Sequence, residues 1–329
     1  MKPAAVGGFS THSGVGMVQS EAGLGRRAFV VLASAATLAL PPALAAQATP
    51  FNDSLLERVR ALARATPGER PISLHVMKIV ESAGPLSNYV AGADSQRVPS
   101  CFSVFQIRYR DRWIVVDAGL DSQAIAENYG ARSSVTFHRD RYDRLETALR
   151  DAEHVVLTHE HLDHAIGVQR GPYFQTVAAK TLLSEEQLRT FLDPPARGVI
   201  RLAHDSAQAF PVLRYDLLFP LAPGVVLIKA PGHTPGSQHV YVRLASGREI
   251  LIAGDLAWQL EGLDTDQQKP EATSRALGED RQALQPQLEW ARKIAQQGEV
   301  AVVLSHDSRL LDSLVSRGVL VNDFDLRLR

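Results

Sequence analysis

Thr158-His159-Glu160-His161-Leu162-Asp163-His164 follows directly on Val155-Val156-Leu157, a short apolar run of the kind that forms a buried strand. Three histidines and an aspartate thus fall within six residues at the end of a strand, where α/β proteins place their chemistry. Imidazole nitrogen suits zinc, and a carboxylate oxygen can complete its coordination. On one tight turn, His159 and His161 can face one side while Asp163 and His164 face the other. One loop could therefore serve two metal ions.

Three later stretches repeat the form of strand, turn and one candidate ligand. Val225–Lys229 leads into Pro231-Gly232-His233-Thr234-Pro235-Gly236, Ile250–Ala253 into Gly254-Asp255, and Val300–Leu304 into Ser305-His306. Glycines beside His233 and Asp255 let the backbone turn sharply and come close to a ligand. Seven candidate ligands at four strand ends exceed what core packing asks for: His159, His161, Asp163, His164, His233, Asp255 and His306. The remaining histidines lie outside this pattern, His154 reading as structural and His239 as a surface residue. Glu160 reads as a carboxylate in solvent or behind the ligands, and Cys101 as a small buried apolar residue.

Working outward, Ser54–Ala63 predicts a short amphipathic helix and Ile72–Val80 a first strand. Residues 83–100, rich in Gly, Ser, Asn and Pro, predict a loop. Ser103–Tyr109 and Trp113–Val116 predict a hairpin that ends at Asp117-Ala118-Gly119. Residues 170–212 predict mixed helix and loop. Asp280–Gln297 predicts a helix, with Pro286 as an alternative start.

The 329 residues are 45% hydrophobic and 22% charged, which suits one soluble α/β domain with a substantial core. A net charge of −1 offers no basic excess for a nucleic-acid backbone, so the expected partner is a small-molecule substrate. One cysteine excludes an internal disulfide and a thiolate-rich zinc cluster. Residues 1–46 read as an export signal: Arg26-Arg27, an apolar run, the breakers Pro41-Pro42, and a small-residue cleavage pattern at Ala43-Leu44-Ala45. The paired arginines resemble a twin-arginine signal, although Gly25 stands where Ser or Thr is usual, and Met17 is an alternative start. The run is too short and alanine-rich for stable membrane insertion, so the expected location is periplasmic or secreted, with an uncleaved anchor as the alternative. Residues 47–71 read as an N-terminal extension and 72–329 as a single catalytic domain.

In order, His-x-His-x-Asp-His, Gly-His-Thr-Pro-Gly, Gly-Asp and a late His resemble the metallo-β-lactamase superfamily, and the strand ending in Asp117-Ala118-Gly119 matches that family's early hallmark. The resemblance implies an αββα sandwich with metals at one edge of the paired sheets. It implies a first zinc on His159, His161 and His233, a second on Asp163, His164 and His306, and Asp255 bridging both. Other divalent metals share these ligand preferences. The implied chemistry is attack on a carbonyl or phosphoryl centre by a hydroxide that the two zinc ions share, with Asp163 orienting it. Asp307 is placed to orient His306 from behind.

The overall shape is most similar to the lactonase and esterase-like branch. One departure is Trp258, three residues after Asp255, where acyl-homoserine lactonases usually carry a tyrosine. Indole donates a hydrogen bond but transfers no proton near neutral pH, so Trp258 reads as a pocket wall. A β-lactamase, a thioesterase and a phosphotriesterase are alternatives on the same fold. A mononuclear iron enzyme similar to persulfide dioxygenases is the alternative from another class. A homodimer is common among such relatives.

Overall fold

Alternation along the strands sorts the apolar residues into three layers. In the computed structural model, which describes residues 49–129, 135–195 and 198–327, two sheets form. The first contains β1 (Ser73–Pro85), β2 (Arg97–Arg108), β3 (Trp113–Val116), β4 (Thr136–Phe137), β5 (His154–Val156), β6 (Thr181–Ser184) and β7 (Val212–Leu213). The second contains β8 (Leu218–Ala222), β9 (Val225–Lys229), β10 (Gln238–Arg243), β11 (Glu249–Ile252) and β12 (Val300–Val303). A last strand, β13 (Val321–Asn322), returns to the first sheet beside β1. The orders are β13-β1-β2-β3-β5-β6-β7, with β4 also on β1, and β12-β11-β10-β9-β8.

Successive side chains of a strand point to opposite faces, and both faces are apolar here. Phe105, Ile107, Ile114, Val116 and Val156 of the first sheet share one core with Val225, Leu227, Val240, Ile250, Ile252 and Val303 of the second. The intervening residues face outward onto helices. Val104, Val115 and Val155 pack with Leu145, Leu149 and Ile166, while Val226, Ile228, Tyr241 and Leu251 pack with Leu284, Leu288 and Ile294. The result is the αββα sandwich the family resemblance implies. The helix Leu55–Ala65, within the stretch read as an extension, buries Leu55, Leu56 and Val59 in the outer layer of the second sheet.

One reading of the secondary structure needs correction. The expected loop at 83–100 is largely hairpin, since β1 and β2 stay paired out to Pro85 opposite Arg97. Pro99 is tolerated because it lies on the part of β2 beyond the reach of β3, whose pairing starts at Phe105, so its missing N–H breaks no ladder there. The late helix runs Arg281–Gln296 with Pro286 inside it, because the Asp280 carboxylate caps the start by accepting from Gln282 N and Ala283 N. Residues 170–212 also supply β6 and β7 besides helix and loop.

The segment read as an export signal lies outside the described residues. Among the described residues no helix is long and apolar enough to cross a membrane.

Candidate metal centre

All four stretches that carry candidate ligands end at one edge of the sandwich. After β5 the chain turns through His159 and His161 into the helix Leu162–Arg170, whose first turn carries Asp163 and His164. This helix lies hard against the turn that follows β3: a Cβ on Gly167 would stand 2.0 Å from the Ala118 carbonyl oxygen. The turns after β9, β11 and β12 deliver His233, Asp255 and His306 from the second sheet. Glu160, expected in solvent or behind the ligands, is buried and joins the two sources. Its carboxylate accepts from Gly236 N at 2.8 Å and from the Thr234 hydroxyl, bracing the turn that carries His233.

The seven predicted ligands form two groups: His159, His161, His233 and Asp255; and Asp163, His164 and His306. In the first, His159 Nε2 lies 3.1 Å from His161 Nδ1 and 3.2 Å from His233 Nε2. In the second, His164 Nε2 lies 3.3 Å from His306 Nε2 and 3.4 Å from Asp163 Oδ2. Asp255 Oδ2 is 3.4 Å from His233 Nε2 and 3.0 Å from His306 Nε2, and Oδ1 is 3.4 Å from His164 Nε2. Tetrahedral ligands at about 2.0–2.1 Å from zinc stand roughly 3.3–3.4 Å apart, so the donor spacing fits such an ion in each group.

For His164, His306 and His233, the hydrogen bond on the far side of the ring decides which nitrogen faces inward. His164 Nδ1 donates to Asp117 Oδ2 at 2.8 Å, and His306 Nδ1 donates to the Cys101 carbonyl at 2.7 Å. His233 Nδ1 donates to Glu279 Oε1 at 2.6 Å, and His159 Nδ1 meets the Thr158 hydroxyl at 3.0 Å. A carboxylate or carbonyl can only accept, so Nδ1 carries the proton and the Nε2 lone pair points at the centre. Lone pairs that converge in a dry site repel one another unless a cation lies between them. Asp255 Oδ1, buried and without a hydrogen bond, is a further orphan aimed there.

Charge points the same way. Asp117, Asp163, Asp255 and Glu279 crowd the rings, and Lys269 is the one ammonium among the described contacts of the cluster. Burial pushes the His164 imidazole down, yet Asp163, Asp117 and Asp255 outweigh it and hold the ring well above its ordinary range. His306 shows the same contest, won by Asp255 and Asp163. Burial holds His159 and His161 well down, so these two rings are neutral. Without metal, then, His164 and His306 hold a second proton more readily than a free imidazole does. Metal accepts only the neutral ring, so loading must expel those protons and apparent affinity must fall as pH falls. We expect metal loading to release protons, read by titration calorimetry in buffers of different ionisation enthalpy. Loading without proton release would count against this charge assignment.

Asp117 stands behind the candidate ligand His164. Asp117 takes Thr158 N at 2.7 Å, the Thr158 hydroxyl at 2.9 Å and His164, with its own backbone at φ 66°. Its family-like strand-end position was the only signal available. Asparagine tolerates that backbone but must turn an N–H toward another donor. Asp117→Asn should therefore lower metal affinity or activity by about 10–100-fold with little loss of fold. An unchanged zinc affinity would refute the role.

Two further expectations fail. Asp307 does not orient His306. Its carboxylate accepts from Leu310 N at 2.9 Å and Leu260 N at 2.7 Å, capping one helix and anchoring another. His239 is not at the surface. It is buried, stacks on Trp290 and is held by the Ala253 carbonyl, because β10 turns that face to the outer helices. Trp258 lines the cavity as expected and also donates its Nε1–H to Asp255 Oδ2 at 2.7 Å.

Residues 103–306 match the sequence profile of the metallo-beta-lactamase superfamily. No curated protein matches the sequence. Among solved structures, the chain resembles an N-acyl homoserine lactone hydrolase holding N-hexanoyl-L-homoserine at its catalytic metal centre, with TM-score 0.57 and 15% identity over 74% of this chain and 96% of that one. A probable metal-dependent hydrolase from Staphylococcus aureus gives TM-score 0.53 and 16% identity over 73% and 91%. A dizinc quorum-quenching lactonase in complex with a product gives 0.52 and 16% over 73% and 90%. At these identities the likeness is one of fold.

Proposed function

The chain belongs to the metallo-beta-lactamase superfamily, and on that footing we propose that it is a dinuclear zinc hydrolase that opens an ester or lactone bond. The observation that carries the reading is the place of Asp255, whose carboxylate stands within 3.4 Å of His233 on one side and 3.0 Å of His306 on the other. Two divalent ions held by these groups would supply a water acidified toward a pKa of about 7 and an electrophile for the oxygen that gains charge.

The protein's own groups supply orientation. Asp163 Oδ2 lies 3.4 Å from His164 and 3.5 Å from His306, and the side chain borders the cavity. Its other oxygen is placed to accept a hydrogen bond from the attacking water and so fix the direction of attack. Above the metal groups lies a cavity of about 400 Å³, bordered by Phe102, Leu162, Trp258 and Leu277 with Tyr89, Ser100 and Asn128. That volume lies within the usual range of small-molecule sites, and its walls suit a substrate with an apolar arm. The lactonases among the structural neighbours support a lactone or ester as the reacting group. Because the Trp258 N–H is engaged by Asp255, it is not free to donate to a leaving oxygen. Substrates with good leaving groups or strained rings are therefore favoured.

The test is a set of initial rates for the zinc-loaded protein on an acyl-homoserine lactone, an aryl ester, an aryl phosphotriester, a glutathione thioester and a cephalosporin. Metal content is measured alongside. A lactone or ester rate on a chain holding two zinc ions supports the proposal. One iron per chain, or no lactone or ester rate, defeats it.

A further inference from the structure

Between Asp255 and the helix Arg281–Gln296 the chain makes an excursion whose ends return to the metal centre. Lys269 is buried, and its ammonium donates to the Asp255 backbone carbonyl at 2.7 Å and to Glu279 Oε1 at 2.7 Å. The same Glu279 oxygen accepts the 2.6 Å hydrogen bond from His233 Nδ1. The excursion is shaped for this. Gly278, at φ 73°, ends the helix Glu271–Leu277 and turns Glu279 inward, with Glu279 N on the Ser274 carbonyl and Asp280 N on the Gly232 carbonyl. Arg281 holds the other side by donating to the Lys269 carbonyl at 2.6 Å and the Ser274 hydroxyl at 2.9 Å.

Burying an ammonium and a carboxylate together is costly, and a pair of apolar residues would fill the same space more cheaply. The pair therefore invites a functional account. We propose that Glu279 and Lys269 are positioning residues for the first metal. Glu279 fixes the His233 tautomer, and Lys269 ties that carboxylate to the backbone of Asp255.

This inference rests on His233 and Asp255 being ligands. A carboxylate behind an imidazole strengthens the ring as a donor. The ammonium 2.7 Å away, bonded to the same oxygen and to the Asp255 carbonyl, holds that carboxylate in place behind the ring. The second candidate group has a different arrangement: His164 is backed by Asp117, with Thr158 donors and no ammonium among the described contacts. The two metals should therefore respond separately to substitutions on this excursion.

The experiment is a zinc titration of the metal-free full chain against a chromophoric chelator, comparing wild type with Glu279→Gln. Wild type should take two zinc ions. Glu279→Gln should weaken one of them by about 10–100-fold, the usual cost of losing such a partner, and leave the other unchanged. Unchanged affinity at both sites, or equal weakening of both, overturns the proposal. A wild type that takes no zinc defeats the metal-site reading itself, so the two failures are distinguishable. Should the variant not fold, imidazole nitrogen NMR of the zinc-loaded wild type decides instead. A protonated, hydrogen-bonded Nδ1 on His233 agrees with the proposal, and an unprotonated one overturns it.

Discussion

Asp163→Ala should abolish turnover, by about 10³-fold or more, while leaving a folded chain. Positioned acid–base groups contribute about 10²–10⁴-fold, and this carboxylate stands among the second group of candidate ligands as well. Its described contacts are with His164 and His306 alone, and it braces no backbone. It sits in the first turn of the helix Leu162–Arg170, where loss of an anion costs about 0.3–1 kcal/mol. Removing one of several crowded carboxylates offsets part of that. The check is kcat on the best substrate beside the melting temperature of the metal-free variant. Near-wild-type turnover would remove Asp163 from the mechanism.

Stripping the metals should produce the largest change in stability. The loop after β5 belongs to the first sheet, and the turns after β9, β11 and β12 belong to the second, so bound ions would pin one sheet to the other. An ion that binds only the folded state stabilises it by about 4 kcal/mol when free metal exceeds its Kd 1,000-fold. Two such ions should raise the melting temperature on the order of 15 °C for a chain of this size. Thermal unfolding of loaded and chelator-treated protein reads this directly. Matching melting curves would mean that the ions do not pin the sheets.

Legibility followed the range of the forces involved. The ligands and the sandwich could be read because the candidate ligands follow strands and those strands are short apolar runs. Both are local patterns, as in Val225–Lys229 before His233. The tip of the first hairpin was missed because Gly84 and Pro99 punctuate it like a loop, and only the facing strand shows that pairing continues. Partner choice was not local either. Glu279 lies 46 residues from His233, and nothing in its neighbourhood marks it as that ring's acceptor. Asp307 was misassigned for the opposite reason, since adjacency to His306 suggested a contact that the helix cap at Leu310 claims instead.

Asp117 is asked for two things at once: a left-handed backbone and an anion that accepts from Thr158 and His164. Glycine and asparagine meet the first demand and fail the second, while glutamate keeps the charge but fits the backbone poorly. No other amino acid supplies both. In the language of sequence drift, position 117 has no neutral neighbour. A lineage that lost this aspartate could recover at that codon only by reversion, and any other repair would have to arise elsewhere in the chain.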